Sequence, residues 1–548
     1  MADALSRRNV VAGAIAGAGA LALARVPGAA ACEEPACPKP PQRLPDRLVQ
    51  GGAFGPGVAS GHPTERAVTL WSRVDGIERS GALNLEIARD PGFSDVVHTQ
   101  RVRAAQVRDY VVRARVGEGL RPGEQYFYRF ATHGTDSPVG RFVTARPRDS
   151  RDPVRIGFFS CQDYQAGFYT AHAGLAQEPD LDLIVSLGDY IYERTFYEGP
   201  DARRDATGAN GDAEVQTLPE YRAKYQLYRS DPNLQAMHAA APFMAIMDDH
   251  EVEDNWAAQQ PGEATLDRRV DFLDRRRNAF LAYREYMPFG RVDCPEPNRF
   301  YRHLRLGANA ELFLLDTRQY RDDQPCGDRS FVPCGESTQP GRTMLGDRQK
   351  AWLKDRLAAS DATWKVLANQ IMLMALDLPL GNPINPDQWD GYAAERAELM
   401  RFVADNDIAN VTAITGDIHT FFAGLVTTTG RIGGTPAATE FVGGSITSLG
   451  VPETLGFPPG DQSRDAALLT ERLETQNPHI RLNNHAFRGY GVLECRPHEL
   501  LCTYRGPAST MVDQSPTMTL ARFRVPRDQL DVEVLQGNPN PLGVLVGA

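Results

Sequence analysis

No stretch of this sequence is long and apolar enough for a comfortable membrane span. The best candidate, residues 10–23, is short and rich in Ala and Gly. Positive charge is in deficit: 59 Lys and Arg stand against 70 Asp and Glu, a net charge of −11. Such a chain is a poor match for a phosphate backbone, so no nucleic-acid partner is expected. The eight cysteines show no structural zinc spacing, whether of four cysteines or of paired cysteines with paired histidines. Short internal repeats are missing, and low complexity is confined to the N-terminal leader. What is present is ordinary globular usage, 42% hydrophobic and 24% charged over 548 residues. That excludes a disordered, collagen-like or multi-span chain and leaves room for two to four domain-sized units.

The leader has a clear grammar. Arg7-Arg8 precedes the apolar run, and Ala29-Ala30-Ala31 follows it. Paired Arg, an apolar stretch and small residues read as a signal peptide over residues 1–31 that resembles a twin-arginine (Tat) export signal. Export through the Tat machinery to the periplasm or the outside is therefore expected, with no transmembrane span in the mature chain. Cys32 follows the small residues, which raises a lipid anchor, but Ala29 stands where a large aliphatic residue is usual. Outside the cytoplasm, nearby cysteines pair. The short separations of Cys326 from Cys334 and of Cys495 from Cys502 suggest two local disulfides.

Residues 32–50 read as a Pro-rich, charged linker. Residues 51–148 carry short alternating segments at 68–71, 83–87, 110–114, 126–130 and 141–143, punctuated by Gly, Pro and Asp. That pattern predicts a small all-β, immunoglobulin- or fibronectin-like sandwich. Residues 149–525 change character: apolar runs at 156–159, 183–187, 243–247, 312–315, 365–368 and 411–414 alternate with longer helical stretches. Strands apolar on both sides predict layered α/β sheets covered by helices. Residues 526–548 read as a C-terminal tail.

Chemistry clusters where these runs end. Ser160-Cys161 follows the first and Gly188-Asp189-Tyr190-Ile191-Tyr192-Glu193 the second. Asp248-Asp249-His250-Glu251, with Asp254-Asn255, follows the third, and Gly416-Asp417-Ile418-His419 the last. Sites in layered α/β folds form beyond the carboxyl ends of strands. Crowded carboxylates resist burial unless cations neutralise them. A thiolate and an imidazole suit a transition metal, carboxylate and amide oxygens suit a hard ion such as Ca²⁺, and a phenolate from Tyr192 favours Fe³⁺. The expectation is a mixed centre with more than one ion.

Phe158-Phe159-Ser160-Cys161, Leu187-Gly188-Asp189-Tyr190-Ile191-Tyr192-Glu193, Asp248-Asp249-His250-Glu251-Val252 with Asn255, and Gly416-Asp417-Ile418-His419 resemble the motifs of the PhoD-type alkaline phosphatase family. The resemblance runs from about residue 52 to near 520. It implies a metallophosphatase-like catalytic domain with one Fe³⁺ and two Ca²⁺. Carried over by motif, Cys161, Asp189, Tyr192 and His419 would surround the iron. Asp189 would bridge to calcium, and Asn255 and Asp417 would serve calcium. On the same alignment Asp249 is a ligand, with Asp248 able to exchange roles with it, and His250 contacts phosphate.

A further candidate comes from periodicity. Residues 271–288 read as a helix whose apolar stripe includes Phe272, Ala279, Phe280, Tyr283 and Met287, with Arg276 in its middle. A guanidinium on a buried face needs an anion, either a structural carboxylate or a substrate phosphate. The resulting expectation is hydrolysis of phosphate monoesters, and of diesters as a second class, by attack of a metal-bound oxide or hydroxide, with His250 and Arg276 holding phosphate oxygens. Three rivals stand beside it: a phosphodiesterase or phospholipase D-like enzyme on the same scaffold, a purple-acid-type phosphatase, against which the thiol of Cys161 argues, and a calcium-stabilised extracellular binding module.

Overall fold

The computed structural model describes residues 47–196, 202–262, 267–290, 298–329, 332–377, 385–430, 433–450 and 471–537. The leader, Cys32 and most of the linker lie outside them, as does the end of the tail. No helix among the described residues is long and apolar enough to cross a membrane.

Two large mixed sheets pack face to face. The first has ten strands. Edge to edge they are Glu533–Gln536, Thr517–Pro526, Glu499–Pro507, Tyr490–Cys495, Val154–Phe159, Leu183–Ser186, Phe243–Ala245, Val58–Thr64, Ala67–Arg73 and Val111–Val116. The second has seven: Arg302–Leu306, Ala310–Leu314, Trp364–Asn369, Val411–Thr415, Pro436–Val442, Phe421–Thr427 and Ile480–Asn484. Their central strands are parallel. The shared core sets Ile156, Phe158, Val185 and Met244 of one sheet against Leu312, Val366, Ile414 and Phe441 of the other. Helices Leu218–Arg229, Pro232–Ala240 and Phe272–Tyr286 pack on the outer face of the first sheet. Gly346–Ala359 and Ala393–Asp405 cover the second. Each central strand is therefore buried on both faces, which is why its sequence is apolar throughout.

Local chemistry starts the helices where expected. Thr217 and Glu220 form a capping box with Pro219 inside the first turn, and the Asp231 and Asp271 carboxylates accept from the first free amides of their helices. The helix read over 271–288 is Phe272–Tyr286. Its buried face, however, is Phe272, Arg275, Ala279, Phe280, Ala282, Tyr283 and Tyr286. Arg275, not Arg276, is the arginine at the centre of that stripe.

The N-terminal β region is built across two sheets. Gly81–Ala88, Val96–Ala104, Gln125–Ala131 and Gly140–Val143 make a four-stranded sheet. It packs on Ala67–Arg73 and Val111–Val116 through Leu70, Leu85, Tyr126 and Phe130. Those two strands and Val58–Thr64 also complete the first large sheet, because Gly61 pairs in parallel with Phe243. The β region thus shares a sheet with Val154–Phe159, Leu183–Ser186 and Phe243–Ala245. At the opposite edge Glu533–Gln536 pairs with Thr517–Pro526, so the start of the C-terminal segment adds a strand.

One expected disulfide forms and one does not. Cys326 and Cys334 are bonded. Cys495 and Cys502 are free and buried between the large sheets. The register sets Cys495 opposite Leu500 and Cys502 opposite Leu493. The two cysteines are therefore diagonal neighbours, about 7 Å apart, at the limit of what a disulfide spans.

Candidate metal centre

The parallel strands of both sheets end at one rim. Ser160 bridges Ser445 there, and the Gln370 side chain donates to the carbonyls of Met247 (2.8 Å) and Leu315 (2.9 Å), which fastens the two rims together. Five residues read as metal ligands sit in the left-handed region at this rim: Cys161 (φ 58°), Asp189 (51°), Asn255 (59°), Asp417 (65°) and His419 (54°). Such backbone is uncommon outside glycine and gathers where side chains must be aimed against local preference. The adjoining glycines are steric requirements. Gly188 has φ 112°, and a Cβ there would lie 2.4 Å from the Asp248 Cβ; at Gly416 it would lie 2.5 Å from Ser160.

The aimed side chains converge. Cys161, Asp189 and His419 form one group, Asp189, Asp249 and His250 a second, and Asp189, Asp248, Asp249 and Asp417 a third. Within each, the ligand atoms lie within 4.8 Å of one another, and Asp189 belongs to all three. The Tyr192 hydroxyl is 3.2 Å from His419 Nε2 and 3.3 Å from Asp189 Oδ2, and it accepts from Ser448 Oγ at 2.7 Å. His419 Nδ1 lies 2.6 Å from the Leu449 carbonyl. A carbonyl only accepts, so Nδ1 carries the proton and Nε2 presents its lone pair to the group. Asn255 joins through its backbone, whose N–H donates to Asp249 Oδ2 (2.8 Å). His250 stacks on the Tyr192 ring with centroids 4.1 Å apart, and its Nδ1 is 2.8 Å from Glu193 Oε2.

The electrostatics of this rim ask for cations. Burial drives the Asp189 and Asp248 carboxyls well above their usual range, and neighbouring carboxylates add to it. Burial and Asp387 hold Asp417 at about 7. Burial, then Asp189 and Asp417, raise the Cys161 thiol. Asp249 feels the same burial, but Arg318 and His250 outweigh it and hold the group below the usual range. Burial, aided by Arg488 and His250, keeps His419 neutral, with a pKa of about 3. Two buried carboxylate oxygens, Asp189 Oδ1 and Asp248 Oδ2, have no hydrogen-bond partner. An unpaired buried carboxylate oxygen is costly, and a bound ion is the partner that fits a set of thiol, imidazole, phenol and carboxylate donors.

Arg276 lies beside the rim rather than in the groups above. It is half-buried, its guanidinium stands over Trp256 (5.6 Å) and Phe280 (5.2 Å), and it donates to the Ala258 carbonyl. The fully buried Arg275 pairs with Glu253 (3.0 Å) and Glu214 (2.9 Å). The sequence reading left out Arg318, which is fully buried among Asp248, Asp249, Asp387 and Asp417. Its signal was there: Asp316-Thr317-Arg318 follows the apolar run 312–315 as the other clusters follow theirs. Glu251 stood in the quoted motif without a role; its carboxylate accepts the amides of Asp189, Tyr190 and Asp248 and joins two of the ligand loops.

Comparison with known proteins agrees with this construction. The family "PhoD-like phosphatase" matches residues 156–504, and "PhoD-like phosphatase, N-terminal domain" matches residues 41–146. Alkaline phosphatase D of Bacillus subtilis (strain 168) is 36% identical over 502 residues, 87% of this chain and 81% of that protein. A solved structure of PhoD superposes with a TM-score of 0.80 at 33% identity, covering 90% of this chain and 94% of that one. A purple acid phosphatase from yellow lupin seeds shares the fold, with a TM-score of 0.53 at 14% identity over 87% of this chain and 75% of its own. The chain belongs to the PhoD-like phosphatase family.

Proposed function

We propose that this protein is an exported phosphoric ester hydrolase, an alkaline phosphatase, acting on phosphate monoesters through a mixed centre of one Fe³⁺ and two Ca²⁺. The observation that carries the reading is the meeting of Cys161, Asp189, His419, Asp249, His250 and Asp417 at one rim, around two orphaned carboxylate oxygens. In this reading Cys161, Asp189, Tyr192 and His419 hold the ferric ion, and Asp189, Asp249, Asn255 and Asp417 serve the calcium ions, with Asp248 beside them. Bound ions would supply a water nucleophile at neutral pH and would neutralise phosphoryl oxygens.

The chain's own residues orient and hold. Glu193 takes His250 Nδ1, which leaves Nε2 as the nitrogen for a phosphate oxygen. Stacking on Tyr192 sets the plane of that ring. Arg276 is positioned beside the Asn255 loop by two aromatic faces and offers a fork of donors suited to phosphate. Displacement at phosphorus is direct, with no covalent enzyme intermediate; retention of configuration at a chiral phosphate would contradict this. Arg7-Arg8 and the apolar run after it support export through the Tat machinery, with the metal centre assembled before export.

The test joins metal content to turnover. Protein purified without added metal should contain iron and calcium and should hydrolyse a simple phosphate monoester faster than a bis-ester. Faster turnover of the bis-ester would favour the diesterase. Calcium without iron, and no hydrolysis of either ester, would overturn the enzyme reading in favour of a binding module.

A further inference from the structure

We propose that Arg318 is a positioning residue of the carboxylate half of the metal centre. It holds Asp248 so that one oxygen faces the cation, and it ties the cluster to Asp387. This inference rests on the metal reading above, and it concerns a side chain that is not itself a ligand.

Arg318 follows the strand Ala310–Leu314 of the second sheet, whereas Asp248 follows Phe243–Ala245 of the first. Its backbone amide donates to Asp316 Oδ1 (3.2 Å), which fixes the turn. From there the guanidinium reaches across the gap between the two rims. Nε donates to Asp248 Oδ1. Nη1 and Nη2 take the two oxygens of Asp387 at 2.6 and 2.9 Å, a bidentate pair. Nη2 also lies 3.3 Å from Asp417 Oδ1 and 3.6 Å from Asp249 Oδ1. Asp387 is braced by Arg321 Nη1 (2.8 Å) and Gln324 Nε2 (3.0 Å).

The consequence is directional. Asp248 Oδ1 is occupied by Arg318, while Oδ2 is fully buried and has no partner. Asp248 belongs to the group with Asp189, Asp249 and Asp417 whose ligand atoms lie within 4.8 Å of one another, and Oδ2 is the oxygen that Arg318 leaves free for a cation there. An all-carboxylate set suits a hard divalent cation. Only a planar guanidinium with five fixed donors can grip Asp387 by two oxygens and Asp248 by a third contact at once; an ammonium is a point charge with no such fork. Arg318 therefore acts through geometry, and its charge works against the cation it helps to place.

These two roles predict opposite signs. Calcium chloride would be titrated into the chelator-treated full chain by calorimetry, comparing wild type with Arg318→Lys, Arg318→Gln and Asp387→Asn. Loss of a partner that orients metal ligands costs about 10–100-fold in affinity. Arg318→Lys is expected to weaken calcium binding by about that factor, and Asp387→Asn, which leaves every cluster carboxylate in place, by a smaller one. Arg318→Lys binding calcium like wild type, or Arg318→Gln binding it more tightly, would overturn the proposal, because charge alone would then explain the residue. If the Arg318 variants fail to fold, an unchanged calcium affinity in Asp387→Asn overturns it equally. No calcium binding by the wild type would remove the metal reading itself, and this inference with it.

Discussion

The Cys161 sulfur and a ring nitrogen of His419 lie within 4.8 Å of each other, although one residue follows a strand of the first sheet and the other a strand of the second. Asp189, from a third strand end, completes their group. A thiol and an imidazole buried together gain little from each other. They gain a great deal from a shared transition metal, because both are strong ligands for one.

Asp189 is the member common to all three groups. Asp189→Asn keeps the shape but withdraws one anionic oxygen. It should lower kcat/KM for a phosphate monoester about 100- to 1000-fold, in line with the loss of one well-placed electrostatic partner. It should also lower metal content on elemental analysis. Wild-type metal content together with wild-type turnover would remove Asp189 from the centre.

Tyr192 gives an optical test. A phenolate or thiolate on Fe³⁺ produces a visible charge-transfer band, so purified protein should be coloured, and Tyr192→Phe should shift or weaken the band. The Tyr192 ring also stacks on His250 at 4.1 Å, and Phe preserves that surface. The fold should therefore survive the change, which far-ultraviolet circular dichroism can check. A spectrum unaffected by the substitution would place the phenol outside the ferric shell.

Gly188 tests the steric account of the Gly-Asp motif. Alanine there meets both the Asp248 Cβ at 2.4 Å and a φ of 112°. Gly188→Ala should cost about 2 kcal/mol or more in unfolding free energy, read from denaturant melts. It should impair turnover as well, since the residue displaced is Asp248. Unchanged melting would show that this loop yields more easily than its packing implies.

His172 sets a limit on the acid side. It is fully buried, its Nε2 is 2.7 Å from Gln162 Oε1, and burial holds its pKa at about 3. In the unfolded chain the same ring titrates near 6.5. Below that value the unfolded state binds a proton that the folded state refuses, so stability falls as pH drops from about 6.5 toward 3. At pH 5 the loss from this one group is about 2 kcal/mol. Thermal melts from pH 7 to pH 5 should show a smaller decline for His172→Gln than for wild type. Equal slopes would assign the acid sensitivity to other groups.

Much of this molecule could be read from one dimension. Two-sided apolar runs marked the central strands, since a strand covered on both faces has no polar side to show. Groups too polar for those strands stood at their ends, so Cys161, Asp189, Asp249, Asp417 and His419 could be picked out before any contact was known. Where alternatives were one residue apart, the reading failed. At 100° per residue, the helical stripe could not separate Arg275 from Arg276 without knowing which face the sheet would cover. Eight residues apart, Cys326 and Cys334 bond, whereas Cys495 and Cys502 at similar separation do not, because a hairpin's register decides which side chains face one another.

The amino-acid order by itself determined which segments became strands and helices and which donors waited at their ends, because periodicity and burial are local properties. Only the tertiary structure decided that Gly61 would extend the catalytic sheet through Phe243, and that Arg318 of one sheet would grip Asp248 of the other. Those contacts join positions far apart in the chain, and the choice among them belongs to the packing of two sheets.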